Sequence, residues 1–190
     1  GADLADPALA AELARRSADG LFQNRALRHG PGWLSLVYKE AAEIGELGDN
    51  TRSLRSAIRE DDVLRRALRG EHVHAVVLGH TRWASVGIIS EPNAHPLNGE
   101  QVGCEPGPYS IGALNGDVDN FADLIATENL CIAPEITTDA KVIPALLSKH
   151  LVSEARTIEA FRRTVAGFEG SVAIGASTVQ SPDTLQLALR

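Results

Sequence analysis

A chain of 190 residues, 44% hydrophobic and 23% charged, has the composition of a globular protein and the length to bury a substantial core. Its formal net charge of -7 argues against a nucleic-acid or anionic-membrane surface, because such polyanions are held by clustered lysine and arginine. No apolar run reaches membrane-spanning length and no secretory signal is visible, so a cytoplasmic location is expected, with Cys104 and Cys131 as free thiols.

Asp6-Pro7 is a cap followed by proline at a first helical position, and predicts a helix over about 7–19 that Gly20 stops. Trp33 to Tyr38 is rich in strand formers. Asn50-Thr51 opens a second helix that runs to about Leu68, with Gly70 beyond its end. His72 to Leu78 reads as a buried strand, followed by a glycine- and proline-rich loop over roughly 90–108. Tyr109 to Leu114 is the next strand, broken at the turn dipeptide Asn115-Gly116.

Asp119 is placed to cap a helix through about Thr127. Thr137-Thr138-Asp139 precedes a helix to about His150, with a kink expected at Pro144. A helix over about 154–166 ends at Gly167, and strands Gly170 to Ala176 and Thr184 to Leu189 follow, joined at Ser181-Pro182-Asp183. The arginine pairs Arg15-Arg16, Arg65-Arg66 and Arg162-Arg163 read as solvated helix faces. Strands and helices without regular βαβ alternation indicate an α+β fold, read as one domain over residues 1–190.

The stretch Gly79-His80-Thr81-Arg82-Trp83-Ala84-Ser85-Val86-Gly87, with Asn93-Ala94-His95-Pro96 soon after, concentrates polar groups next to an apolar segment. A guanidinium such as Arg82 binds a carboxylate through two parallel hydrogen bonds. Asn115 with the Gly116 N–H can form an oxyanion hole, and Asp139 can hold an ammonium group. Together these groups describe a site for an amino acid whose side-chain carbonyl reacts, such as glutamine or asparagine. Histidines 72, 74, 80 and 95 invite a metal reading, but no Glu or Cys stands at ligand spacing, so neither a metal nor a cofactor is expected. Taken alone, Asn115-Gly116 is an ordinary turn and Asp139 an ordinary helix cap.

These blocks resemble the class II glutamine amidotransferase domain, an N-terminal-nucleophile hydrolase, which carries G-H-T-R-W-A-T-H-G, N-A-H-P, H-N-G and T-D-T-E in this order. The similarity is greatest to the glutaminase half of the glutamine–fructose-6-phosphate aminotransferases, the glucosamine-6-phosphate synthases. The corresponding residues here are Gly79 to Gly87, Asn93 to Pro96, Leu114-Asn115-Gly116 and Thr138-Asp139-Ala140-Lys141, over about 60 residues. Amidophosphoribosyltransferases, a second branch, would carry tyrosine in place of Trp83 and glutamine in place of His95. Weaker likeness extends to Ile44 to Leu47, to Gly167 to Ala176 and, distantly, to Arg28 to Gly32.

The resemblance implies a four-layer αββα sandwich of largely antiparallel sheets, and glutamine hydrolysis that feeds ammonia to a sugar-isomerase domain of the same parent chain, with a homodimer compatible. It implies that Arg82 binds the glutamine α-carboxylate with help from Ser85, that Trp83 walls the pocket, and that His95 supports the pocket loop. It also implies that Asn115 and Gly116 form the oxyanion hole and Asp139 binds the α-ammonium group.

The chain departs from the pattern at Ser85, Val86, Leu114 and Lys141, where the family has threonine, two histidines and glutamate. Val86 and Leu114 are expected to remove polar groups from the flanks of the pocket. The family attacks with an N-terminal cysteine, whereas this chain begins at Gly1 and holds no methionine. A domain truncated at both ends and inactive without that cysteine is therefore expected. The competing reading is a non-catalytic module of the same fold that senses glutamine or binds a partner.

Overall fold

The computed structural model describes residues 7–18, 24–41, 48–70, 72–81 and 86–190. They fall into two units, one within residues 1–75 together with 89–91, the other comprising 76–88 and 92–190. Both combine helices with antiparallel strands, so the α+β class holds. Among the described residues no helix is long and apolar enough to cross a membrane.

In the first unit, helix α1 (Pro7–Ala18) buries Leu9 and Leu13. Strands β1 (Leu27–Gly30) and β2 (Trp33–Leu36) form a hairpin with Gly30 opposite Trp33. The turn is Pro31-Gly32, where proline supplies the first φ and Gly32 takes a φ of 80° that side-chain-bearing residues resist. Only β2 was expected from composition; β1 is set by that turn.

The single helix expected over 50–68 is two, α2 (Asp49–Glu60) and α3 (Asp62–Leu68). Asp61 leaves the helical conformation because its side chain is more useful as a cap. Its Oδ1 accepts from the N–H groups of Val63 at 2.9 Å and Leu64 at 3.2 Å.

Asp61 Oδ2 also accepts from Arg16 Nη1 at 2.8 Å and from the Tyr38 hydroxyl at 2.7 Å, and Arg16 Nε donates to the Arg25 carbonyl at 2.8 Å. Arg16, expected on a solvated face, is only 2% exposed. Burial raises the Asp61 pKa, but the hydrogen bonds from Tyr38, the Leu64 N–H and Arg16 outweigh it and hold the carboxyl below its usual range.

The second unit carries one sheet in the order β3-β4-β5-β6, all neighbours antiparallel. Its strands are β3 (Leu97–Asn98), β4 (Ser110–Gly116), β5 (Val172–Thr178) and β6 (Ser181–Leu189). Helices α4 (Phe121–Thr127), α5 (Val142–Ser153) and α6 (Thr157–Ala166) complete it. A helix apolar on every side must be surrounded. Helix α5 is such a helix, burying Val142, Ile143, Ala145, Leu146, Leu147 and Leu151 against β4, α4 and α6. Helix α5 runs unbroken through Pro144, which stands in its first turn, where proline is tolerated.

Side chains alternate across β4. Ser110 Oγ donates to the Pro144 carbonyl at 2.8 Å, Gly112 abuts Ile143, and Leu114 joins the core, so the even-numbered residues face α5. Ala113 and Asn115 face the opposite side of the sheet. On that side β6 presents Leu187 and Leu189, the latter 86% exposed.

Several expectations are corrected. Residues 73–78 form no strand and pair with none among the described residues, and Val77 is 81% exposed rather than buried. Asn115-Gly116 is no turn, since both residues lie in β4 opposite Ala173 and Val172. The β5–β6 turn is Val179-Gln180, with residues 181–183 inside the strand. Asn120, not Asp119, precedes α4, and its amide is spent on the Gly167 carbonyl and the Glu169 N–H.

Cys104 and Cys131 are joined by a disulfide, with Cα atoms 6.2 Å apart. The segments are held side by side by two hydrogen bonds, Val102 N–H to the Cys131 carbonyl at 2.9 Å and Cys131 N–H to Gln101 Oε1 at 2.7 Å. Pairing across 27 residues follows from that tertiary contact and overturns the expectation of free thiols.

Asp61→Ala leaves the Arg16 charge buried without its partner and α3 without its cap, and is expected to cost about 3–5 kcal/mol in urea unfolding. Because the folded pKa of Asp61 is depressed, its contribution is present above the ordinary carboxylate range and disappears as pH falls through the depressed value. A loss that does not diminish in acid would contradict this assignment. Reduction of the disulfide is expected to lower stability by about 3.5 kcal/mol on the chain-entropy account of a 27-residue loop. Unfolding with and without a dithiol checks it, with Cys104→Ser as the variant insensitive to reductant.

Candidate functional site

The register of the sheet decides which groups of β4 are available. Gly99 N–H donates to the Ser110 carbonyl at 2.8 Å on the β3 side, whereas Val179 N–H donates to the Tyr109 carbonyl and Asp117 N–H to the Ser171 carbonyl on the β5 side. Backbone groups of successive residues in an antiparallel strand point to opposite neighbours. Even-numbered residues of β4 therefore direct their N–H and C=O toward β3, which ends after pairing Leu97 with Gly112.

Beyond that end, His95 takes the place of a strand partner, its Nδ1 accepting from the Leu114 N–H at 3.4 Å. The Gly116 N–H points the same way, two residues further on. Gly116 has a φ of 116°, and a Cβ there would stand 1.9 Å from the Ser171 carbonyl oxygen. Only glycine permits this closing of the ladder.

Asn115 projects from the other face, into an open groove of about 460 Å³ whose floor is Ala113, Ala173 and Gly175 and whose wall is Leu187 and Leu189. Leu78, Gly79 and His80 form the remaining side, with Leu78 lying against Gly175. The His80 ring rests on that of His95, centroids 4.5 Å apart.

Arg82, Trp83 and Ser85 lie outside the described residues. Their described neighbours are placed on both sides. His80 sits by His95 and the groove, while Gly87 lies against Thr137 and Thr138, close enough that a Cβ would meet Thr137 Oγ1 at 2.9 Å. Ile88 N–H donates to the same hydroxyl at 3.4 Å.

Asp139, 3% exposed, opens the 3₁₀ turn Asp139–Lys141 that leads into α5. Its Oδ2 accepts from the Val118 N–H at 2.7 Å and its Oδ1 from the Thr138 hydroxyl at 3.3 Å. A carboxylate has about four acceptor positions, so a further donor can be received. The bond to Val118 ties the turn to the residues that follow β4, and thereby to Asn115 and Gly116.

Two residues were not foreseen as contributors. Asn93, fully buried, accepts on Oδ1 from the N–H groups of Thr137 at 2.7 Å and Thr138 at 3.0 Å, and its Nδ2 donates to the Glu135 carbonyl at 3.3 Å. It stands in the Asn93-Ala94-His95-Pro96 block, but its partners are 42 to 45 residues away in the chain. Lys141, in the same turn as Asp139, is buried and donates to backbone carbonyls of β3 and the loop after it. Leu114 requires a correction, because its side chain faces the core with α5 and takes no polar group from the groove. His72 and His74 are exposed, and among the described residues no three His, Cys, Asp or Glu side chains group as a metal-holding set.

No protein-family model matches the chain. It is 30% identical over 139 residues to the glutamine–fructose-6-phosphate aminotransferase (isomerizing) of Chlamydia abortus, covering 71% of this chain and 22% of that protein. The protein of the same name from Lactiplantibacillus plantarum is 37% identical over 123 residues, covering 63% of this chain and 19% of the relative. That from Geobacillus kaustophilus is 34% identical over 119 residues, covering 62% and 19%. The chain thus spans about a fifth of the length of these relatives.

Gly116→Ala is expected to destabilise the second unit by about 3 kcal/mol or more, since it adds a clash to a backbone angle that alanine resists. Denaturant unfolding measures it, and amide exchange at residues 115–118 should localise the loss; a change within about 0.5 kcal/mol would refute the close approach to Ser171.

Proposed function

We propose that this chain is the glutamine-hydrolysing part of a larger amidotransferase related to glutamine–fructose-6-phosphate aminotransferase, with the N-terminal-nucleophile hydrolase sandwich completed by the rest of that protein. One observation carries the reading. The end of β4 offers the Asn115 amide and the outward Gly116 N–H, and Asp139 is fastened to the same strand end through Val118. An oxyanion site and an ammonium site on one strand end suit an amino acid with an amide side chain.

In this reading Arg82, assisted by Ser85, receives the glutamine α-carboxylate, Asp139 receives the α-ammonium, and Trp83 covers the pocket. His95, seated on the Leu114 N–H, supports the strand end and transfers no proton. A thiolate attacks the side-chain carbonyl carbon, and Asn115 Nδ2 and the Gly116 N–H stabilise the oxyanion that forms. The C–N bond then breaks with a proton delivered to nitrogen, ammonia leaves, and water hydrolyses the thioester to glutamate.

Cys104 and Cys131 are the chain's only cysteines and are tied in a disulfide, so the thiolate comes from a residue outside these 190. The ammonia acceptor would be a phosphosugar held by a sugar-isomerase domain of the same parent. The lack of an available thiol equally favours a second reading, a module that binds glutamine without turning it over.

Glutaminase assays on the full-length protein test this. Arg82→Ala and Asp139→Ala are each expected to lower kcat/KM at least about a hundredfold, by removing a charge-assisted contact to substrate. Asn115→Ala should lower kcat about a hundred- to a thousandfold with KM little changed. Glutamine binding by calorimetry without ammonia release selects the non-catalytic reading. A folded full-length protein that neither binds nor hydrolyses glutamine refutes both.

A further inference from the structure

The side chain of Lys141 is the most completely buried cation of the second unit among the described residues, at 1% exposure. Its Nζ donates to the Asn98 carbonyl at 2.5 Å, to the Glu100 carbonyl at 2.6 Å and to Asn98 Oδ1 at 3.4 Å. An ammonium group taken from water costs more than an apolar side chain of similar volume, so filling space does not account for it. A cation does what an apolar group cannot, which is to gather carbonyl oxygens from another segment onto its own turn.

The gathered segment matters because of where it leads. Asn98 belongs to β3 and pairs with Ile111, and Gly99 N–H donates to the Ser110 carbonyl of β4. The segment after β3 is wound around the ammonium by its own bonds, Glu100 N–H to Asn98 Oδ1 at 3.2 Å and Asn98 Nδ2 to Glu100 Oε2 at 3.1 Å. Lys141 thus ties the Asp139–Lys141 turn to the start of β4, while Asp139 Oδ2 ties it to Val118 beyond the other end. Asn93 holds the preceding residues, Thr137 and Thr138. The carboxylate is fixed between these anchors.

We propose that Lys141 is a positioning residue that sets the Asp139 carboxylate for the substrate's ammonium group. This rests on the glutamine-site reading above and adds to it which buried charge orients that site. Losing the Lys141 anchor lets the turn pivot about Asn93 and Val118, so the carboxylate shifts while the unit stays folded.

The test uses the full-length protein and two ligands, glutamate and glutarate, which differ by the ammonium group. Lys141→Met is expected to raise KM for glutamine about tenfold with kcat changed less than about threefold, the effect of a small displacement of a binding group. The same variant should weaken glutamate about tenfold and glutarate less than about twofold in calorimetry. Lys141→Gln, which keeps a donor, should lie between wild type and Lys141→Met, and decides the matter if the methionine variant does not fold. Equal weakening of both ligands, or a lower kcat at unchanged KM, overturns the positioning role and leaves the glutaminase reading intact. A wild-type protein that binds neither glutamine nor glutamate overturns both.

Discussion

The antiparallel pairing of β4 with β5 is the constraint on which the candidate site depends. Parity along that ladder sends the side chains of Ser110, Gly112 and Leu114 into the core against α5 and the side chain of Asn115 into the groove. The same parity turns the N–H groups of Leu114 and Gly116 away from β5, toward the edge that β3 leaves uncovered. One donor is met by His95 and the next belongs to the residue read as half of an oxyanion hole. A slip of one residue in the register would bury Asn115 and expose Leu114.

Buried charge serves different ends in the two units. Asp61 joins Arg16, Tyr38 and the first turn of α3, each of its oxygens receiving two hydrogen bonds, and so fixes where a helix starts. Lys141 has backbone carbonyls around its ammonium and a carboxylate two residues earlier in the same turn, so its work is to locate a segment. Neither arrangement is visible as a pattern of spacing, since Arg16 meets Asp61 across 45 residues and Lys141 meets Asn98 across 43.

The elements read correctly from sequence were those whose cause is local. Helix α1 follows from Pro7 at its first position and from its leucines, and α5 and α6 from long apolar or amphipathic runs. Failures arose where a distant partner decided. Residues 73–78 have the composition of a strand but pair with no strand among the described residues, Asn115-Gly116 has the composition of a turn but is held flat by β5, and Cys104 and Cys131 meet because Gln101 and Val102 bond Cys131. Of the candidate site, the residue types and their order were legible, with Asn115, Gly116, His95 and Asp139 recognised as polar groups in ordered blocks. The contributions of Asn93 and Lys141 were not, because both act on backbone groups that no side-chain pattern reveals.

By itself the sequence determined the α+β class, the apolar helix at the centre of the second unit and the order of the polar blocks, all of which follow from local propensity and residue chemistry. Only the tertiary structure decided which side of β4 Leu114 and Asn115 face, that the Gly116 N–H is turned toward the β3 side of the sheet, and that Asp139 is fastened to the same strand end. Register and burial are properties of paired segments, and a chain read one residue at a time does not contain the pairing.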